Sequence, residues 1–348
     1  MGTRRRRVSV IYFISKLVKW DDLRMEIISN PTQIEIKKAA QALKDGHLVA
    51  FPTETVYGLG ADAANKKAVS RVYSVKGRPI DHPLIVHISS ANQLGKWAID
   101  IPDYATKLAN EFWPGPMTLI LKKSELAKDF ITGGQESIGL RIPDQQIALK
   151  LLKEFEGLGG LGIAAPSANR FGSISPTTAS AVEIELSIFL GSKDLILDGG
   201  QCTIGVESSI IDCTKTTPVV LRPGAVSIEM IERVTGFEKL LNSIMSDIKT
   251  SGLLESHYAP KAKVALGVST EPGDGFLALA EIPTPIRAVR LASPKSNEEY
   301  AQVLYSALRL GDQLGLKNIV VIEPTGKGLA LAIRDRLNKA ASGKKSGH

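Results

Sequence analysis

The stretch Phe51-Pro52-Thr53-Glu54-Thr55-Val56-Tyr57-Gly58-Leu59-Gly60 constrains this chain more than any other part of it. An apolar strand from Leu48 to Phe51 stops at a proline and opens into small hydroxylated residues and glycines. Two later segments belong with it. Lys76-Gly77-Arg78-Pro79 holds two cations two residues apart, and Pro166-Ser167-Ala168-Asn169 offers a hydroxyl and an amide on a tight turn. Glycine lets a backbone approach a ligand closely, and cations with hydroxyls hold phosphate or carboxylate. Together the three segments predict a rigid, anion-binding cleft.

The surrounding pattern predicts an α/β fold. Asn30-Pro31 reads as a helix start, with Asn as N-cap and Pro at the first helical position. The stripe Ile34, Ile36, Ala39, Ala40 and Leu43 continues that helix to Gly46. Helix-like and strand-like runs then alternate imperfectly as far as the helix that begins at Ser227, which argues for a mixed sheet. A polar stretch, residues 237–263, reads as a linker and contains His257-Tyr258-Ala259-Pro260. Cleaner alternation follows over residues 264–342, as expected of a small, doubly wound Rossmann-like unit. The organisation is therefore a leader (1–24), a catalytic domain (25–236), a linker (237–263), a second domain (264–342) and a polar tail (343–348).

Charge narrows the class of partner. The formal net charge is +7, but residues 1–24 hold seven basic residues against Asp21 and Asp22. The body is thus close to balanced, which weakens a phosphate-dominated nucleic-acid reading. The leader matches none of the motifs, and we read it as an over-extended gene start; a basic tail and an Arg-rich targeting segment are the alternatives. No apolar run reaches the roughly 18 residues of a membrane span. Cys202 and Cys213 belong to no CxxC pair and read as small buried thiols in a reducing compartment.

The candidate chemistry lies at strand ends, where open α/β sheets place ligands. Lys76 and Arg78 are expected on a loop, with Asp81-His82-Pro83 just after them. Thr55 and His87 each close an apolar strand. No GxxxxGK[ST] loop exists and no GxGxxG follows the first strand, so any ATP needs dispersed cations and hydroxyls. Arg78, Ser137, Ser167, Ser175 and Arg222 fit that device. The five histidines have no carboxylate or thiol cluster to complete a metal site. Magnesium carried by a nucleotide needs few protein ligands.

These segments resemble the YrdC family of threonylcarbamoyl-AMP synthases. The likeness continues in order through Ser137-Ile138-Gly139-Leu140-Arg141-Ile142-Pro143, Asp198-Gly199-Gly200, Gly205-Val206-Glu207-Ser208-Ser209-Ile210 and Leu221-Arg222-Pro223-Gly224. Reaching His257-Tyr258-Ala259-Pro260 and a further region, it is similar to the two-domain form. The resemblance implies condensation of L-threonine, bicarbonate and ATP, with magnesium, to threonylcarbamoyl-adenylate and pyrophosphate. It also implies a cytoplasmic enzyme serving a downstream tRNA threonylcarbamoyl transfer machinery. Thr55, His87, Arg141 and the backbone near Ala165 should then face threonine. Arg78, His82, Ser137, Ser167, Asn169, Ser175, Ser208, Arg222 and Tyr258 should face ATP, and Lys76 and Arg78 should stabilise the reacting phosphate. Glu54 and Glu207 are candidates for a general base only through lying within motifs. His82 departs from the asparagine that the family often shows there.

Two other readings remain at this level. One is a double-stranded RNA-binding module of the same fold, with weak RNA contact. The other is a carbamoyl transferase of hydrogenase maturation, which would need zinc-finger cysteines that this chain lacks.

Overall fold

The computed structural model describes residues 25–238, 240, 248–250, 258–267 and 269–342. The leader, the polar tail, His257 and most of the linker before Tyr258 lie outside the described residues.

In chain order the larger unit runs β1 (Glu26–Ser29), α1 (Gln33–Lys44), β2 (Val49–Phe51), β3 (Gly58–Asp62), α2 (Lys66–Lys76), β4 (Ile85–His87), α3 (Leu94–Trp97) and α4 (Asp103–Phe112). It continues with β5 (Met117–Lys122), α5 (Asp129–Thr132), β6 (Ser137–Arg141), α6 (Gln146–Gly157), β7 (Ile163–Ala164) and α7 (Ala179–Leu186). It ends with β8 (Leu195–Asp198), β9 (Ser209–Asp212), β10 (Val219–Arg222) and α8 (Ile228–Thr235). The strands form one sheet in the order β1-β8-β2-β3-β7-β4-β6-β5-β9-β10. Parallel pairs such as β4 with β6 alternate with antiparallel ones such as β5 with β6, so the sheet is mixed as expected. Separate apolar cores on its two faces gather α1 and α6 on one side and the other long helices on the opposite side.

Two local expectations change. The first helix is capped by Thr32, not Asn30: Glu35 N–H donates to Thr32 Oγ1, and the Glu35 carboxylate accepts from Thr32 N–H at 2.7 Å. This capping box closes two otherwise orphaned donors, while Asn30 takes the left-handed region at φ 49°. The second change is β3, which glycines 58 and 60 conceal. A Cβ at Gly60 would lie 2.8 Å from Ile163 Cγ2 and 2.9 Å from the Phe51 ring. The glycines are there so that neighbouring strands can close on each other, despite their low strand propensity.

The smaller unit holds β11 (Lys263–Leu266), β12 (Gly275–Leu277), β13 (Val289–Ala292), α9 (Asn297–Gln313), β14 (Asn318–Val321) and α10 (Leu329–Ala341). Its sheet is fully parallel, in the order β11-β14-β12-β13. Among the described residues α9 and α10 share one face, where Tyr300, Leu304, Ile333 and Leu337 pack on Val264, Leu277, Ile319 and Val321. Phe276, Ala278 and Val320 form a separate cluster with Ile282, Ala288 and Ile322, which includes no helix among the described residues. The doubly wound arrangement is therefore replaced by helices on a single side. Val56, Ile174 and Val206 of the larger unit belong to the same core as α9 and α10.

Gly205 marks how tightly the two units meet. It sits at φ +84°, and a Cβ there would lie 2.5 Å from Ala301 O and from Gln302 Cα on α9. Gly205→Ala should lower stability by about 1–2 kcal/mol from the left-handed backbone alone, with the backbone overlap adding to it. Calorimetry checks this; an unchanged melting temperature would show that the seam opens freely at that point.

Candidate active site

A cleft opens at the ends of β4 and β6 and is walled by the motif segments. Its first wall is the connection from β2 to β3, which contributes Thr53, Thr55, Val56 and Gly58. The Thr53 and Thr55 hydroxyls are 2.9 Å apart, and Thr53 Oγ1 also donates to Val56 O at 2.6 Å, so the segment is stiffened by its own side chains.

The second wall is the end of α2. Lys76 is the last helical residue rather than a loop residue, because the helix continues past Ser74 and closes only at Gly77, in the left-handed region at φ 62°. Lys76 is 2% exposed and donates to Ser167 O and Asn169 O, both at 2.5 Å. Burial, then Arg78, pushes its ammonium well below the ordinary lysine range. The two carbonyls favour the charged form against that pressure. Arg78 is anchored on His82 O at 3.2 Å and Pro83 O at 2.9 Å, 5.7 Å from the centroid of the Phe171 ring. Burial lowers it to about 10, which leaves it a cation at neutral pH.

Strand ends supply the floor. His87 closes β4 and Arg141 closes β6, side by side in register. Burial, then Arg141, brings His87 down to about 3, so its imidazole is neutral. His87 Nδ1 is buried without a hydrogen-bond partner. Arg141 donates through Nε to Gly115 O at 3.3 Å and through Nη2 to Glu54 Oε1 at 2.6 Å. An arginine can grip a carboxylate with two nitrogens; here Nε and Nη2 are committed, and Nη1 remains. Asn169 anchors its amide N–H groups on Arg170 O and Ser173 O and keeps Oδ1 buried and unpartnered.

The far wall joins Ser208, Arg222 and Glu207. Arg222 donates to Ser208 O from Nε and Nη2, at 3.0 and 2.9 Å, and to Ser208 Oγ at 3.1 Å. Thr118 pairs with the same hydroxyl at 2.8 Å. Glu207 accepts from Ser175 at 2.6 Å, from Tyr305 at 2.8 Å and from Arg336 Nε at 2.9 Å. Burial opposes its ionisation, but Arg336 and Arg222, helped by those two hydroxyls, hold the carboxyl at about 2. Tyr258 covers this corner, stacked on Tyr305 at 5.6 Å and lying under the Arg336 guanidinium.

The cleft thus gathers Lys76, Arg78, Thr55, His87, Arg141, Ala165, Ser167, Asn169, Ser208, Arg222 and Tyr258. It does not bring His82, Ser137 or Ser175 to its lining. His82 stands edge-on to Phe171 at 5.3 Å, behind Arg78. Ser137 begins β6, at the opposite end from Arg141, in a separate cavity with Lys122 and Ile248. Ser175 sits behind Glu207. Both carboxylate oxygens of Glu54 and of Glu207 are committed, so neither carboxylate is placed as a free base. Phe171 in the lining, and Arg336 and Tyr305 behind it, escape motif reading because nothing local marks them. Among the described residues no three His, Cys, Asp or Glu side chains gather as a metal site, and no helix is long and apolar enough to cross a membrane.

Comparison with known proteins gives this cleft a class. The Sua5–YciO–YrdC family model, described as telomere recombination, matches residues 41–224. A second model, described as the C-terminal domain of threonylcarbamoyl-AMP synthase, matches residues 226–342. The threonylcarbamoyl-AMP synthase of Pyrococcus abyssi is 40% identical over 88% of this chain and 94% of its own length. That of Bacillus subtilis is 38% identical over 93% and 97%. The crystal structure of P. abyssi Sua5 complexed with L-threonine superposes with a TM-score of 0.81 at 38% identity, covering 91% of this chain and 97% of that one. A mixed α/β sheet with a cationic, strand-end cleft and these relatives define an enzyme of the nucleotidyltransferase type. The chain belongs to the threonylcarbamoyl-AMP synthase family, in its two-domain form.

Proposed function

We propose that this chain condenses L-threonine, bicarbonate and ATP into threonylcarbamoyl-adenylate and pyrophosphate. The adenylate would then supply a downstream machinery that threonylcarbamoylates the adenosine beside the anticodon of certain tRNAs, in the cytoplasm. One observation carries the reading: Lys76, Arg78, Arg141 and Arg222 converge on one buried cleft whose lining also holds two unpartnered acceptors, His87 Nδ1 and Asn169 Oδ1. The cations suit two anionic substrates, and the bare acceptors suit N–H or O–H donors of an amino acid.

The reaction asks a carbamate anion, formed from the threonine amine, to attack the α-phosphorus while pyrophosphate leaves. Cations cancel the repulsion between the two anions and stabilise charge gathering on phosphate oxygens. Lys76, Arg78 and Arg222 fit that role, with magnesium entering on the triphosphate as part of the substrate. Arg141 Nη1 fits the threonine carboxylate. The Ala165 N–H is already donated to Ile85 O, which leaves its carbonyl for the amino acid. Holding the substrates in one closed site supplies much of the remaining acceleration. Pyrophosphate release that requires both threonine and bicarbonate tests the proposal; release indifferent to either substrate would overturn it.

Tyr258 fits a cover over the nucleotide, since the linker returns to the cleft there and a closed site shields a reactive adenylate from water. Tyr258→Ala should lower kcat/KM for ATP about tenfold, or about 1.4 kcal/mol. Unchanged ATP kinetics would reduce the linker to a tether.

A further inference from the structure

We infer that Thr53 is a positioning residue that fixes the Thr55 hydroxyl as a hydrogen-bond acceptor toward the cleft, so that the amino-acid subsite selects an N–H or O–H donor there; this rests on the reading above that the cleft takes L-threonine. A hydroxyl carries one hydrogen and two acceptor lone pairs. Thr53 Oγ1 lies 2.6 Å from Val56 O, and a carbonyl oxygen can only accept, so the single Thr53 hydrogen is spent there. Thr55 Oγ1 lies 2.9 Å from the same Thr53 oxygen. Thr53 has no second hydrogen to give, so Thr55 must donate to it. The opposite assignment would press the bare oxygens of Thr53 and Val56 together at 2.6 Å. Thr55 N–H and Val56 N–H, each at 3.2 Å, hold the Thr53 oxygen in place from the backbone side.

Both threonines line the cleft, at 3% and 0% exposed, so neither hydroxyl can turn to bulk solvent. With its hydrogen committed to Thr53, Thr55 Oγ1 has only lone pairs to offer a ligand. His87 has the same polarity: it hydrogen-bonds the Ile163 backbone and leaves Nδ1 buried and unpartnered in a neutral ring. An amino acid brings an ammonium, a carbamate N–H after capture of bicarbonate, and in threonine a side-chain hydroxyl, all of them donors. An ionised triphosphate brings acceptors alone, and acceptors that meet acceptors in a buried site are left unsatisfied at a cost. The Thr53 hydroxyl has no hydrogen left for a ligand, so it acts through Thr55 and not on the substrate itself. Polarity set one hydrogen bond away from the ligand thus marks the amino-acid end of the cleft.

The test measures binding of L-threonine, and of inorganic tripolyphosphate as the probe of the phosphate subsite, to the purified full chain by calorimetry. Thr53→Val keeps the shape but frees the Thr55 hydrogen to turn into the cleft. It should weaken threonine at least about fivefold, the worth of one hydrogen bond, and leave tripolyphosphate binding unchanged. Thr53→Ser keeps the hydroxyl and should bind threonine as wild type does. Thr55→Val should lose threonine affinity to a similar extent, and Thr53→Val/Thr55→Val should lose no more than Thr55→Val, because the two hydroxyls act as one unit. Additive losses in the double variant would overturn the inference, since they mark two independent contributions such as damage to the backbone turn. Unchanged threonine affinity in Thr53→Val would overturn it too, as would equal losses for threonine and tripolyphosphate. If Thr53→Val does not fold, Thr53→Cys replaces it in the same comparisons, a thiol being a weak partner in both directions. A wild type that binds no threonine would instead remove the functional proposal itself.

Discussion

Arg336→Ala is expected to lower stability by about 3–5 kcal/mol, the cost of leaving one member of a buried ion pair alone. Arg336 is 1% exposed on α10, yet it donates to Glu207 Oε2 and Glu207 O and, through Nη1, to Pro223 O. All three acceptors belong to the larger unit, two of them on the residue before Ser208. Removal would therefore loosen the cleft wall as well as the seam, and turnover should fall with stability. Acid should reproduce part of the effect. The Glu207 carboxyl is held at about 2 against an ordinary 4.5. A depressed carboxyl stabilises the fold fully above its unfolded value and loses that contribution as pH falls through the folded one. Wild type should thus lose its advantage over Arg336→Ala between about pH 4.5 and pH 2. Thermal melts across that window check it. Equal melting temperatures of the two proteins at neutral pH would show that the pair contributes nothing.

Lys76→Met should lower adenylate formation at least about tenfold and up to a hundredfold, the range for losing one preorganised group at a reacting phosphate. Methionine keeps most of the buried volume, so the loss isolates the charge and its two hydrogen bonds. Those bonds tie the carbonyls of Ser167 and Asn169, which both line the cleft, to the end of α2. Unsatisfied carbonyls cost about 1–3 kcal/mol, so a moderate fall in melting temperature accompanies the larger fall in turnover. Arg78→Ala should lower turnover by at least about tenfold for the same reason. Near wild-type pyrophosphate release from a folded Lys76→Met protein would remove Lys76 from the chemistry.

Much of this site is legible in sequence because its residues sit in short contiguous motifs. Thr55, Arg78 and Ser167 lie in the connections just after a strand or helix and Arg222 closes β10, and the element patterns locate those ends. β8, β9 and β10 are equally plain, as apolar runs bounded by turn residues. What sequence hides has specific causes. Glycines chosen for close strand approach disguise β3. Val75-Lys76 looks like the start of a loop because Pro79 follows so closely, although Gly77 is what stops the helix. Ser137 carries a motif, but its direction depends on which end of β6 meets the cleft. Arg336 and Tyr305 pair with Glu207 across 129 and 98 positions. No local pattern announces a contact at that range, and both read as ordinary helical residues until the fold joins the units.

The shared core of the two units bears on how the molecule is made. Val56 lines the cleft and is synthesised well before α9 and α10, yet it packs with both. The larger unit can pair its strands as it appears, as nascent domains generally do. The wall carrying Glu207 and Ser208 has no cation from α10 until that helix docks. Competence therefore waits on the docking of α10, and a chain with most of its motifs already folded but without that helix in place holds an open, unfinished cleft.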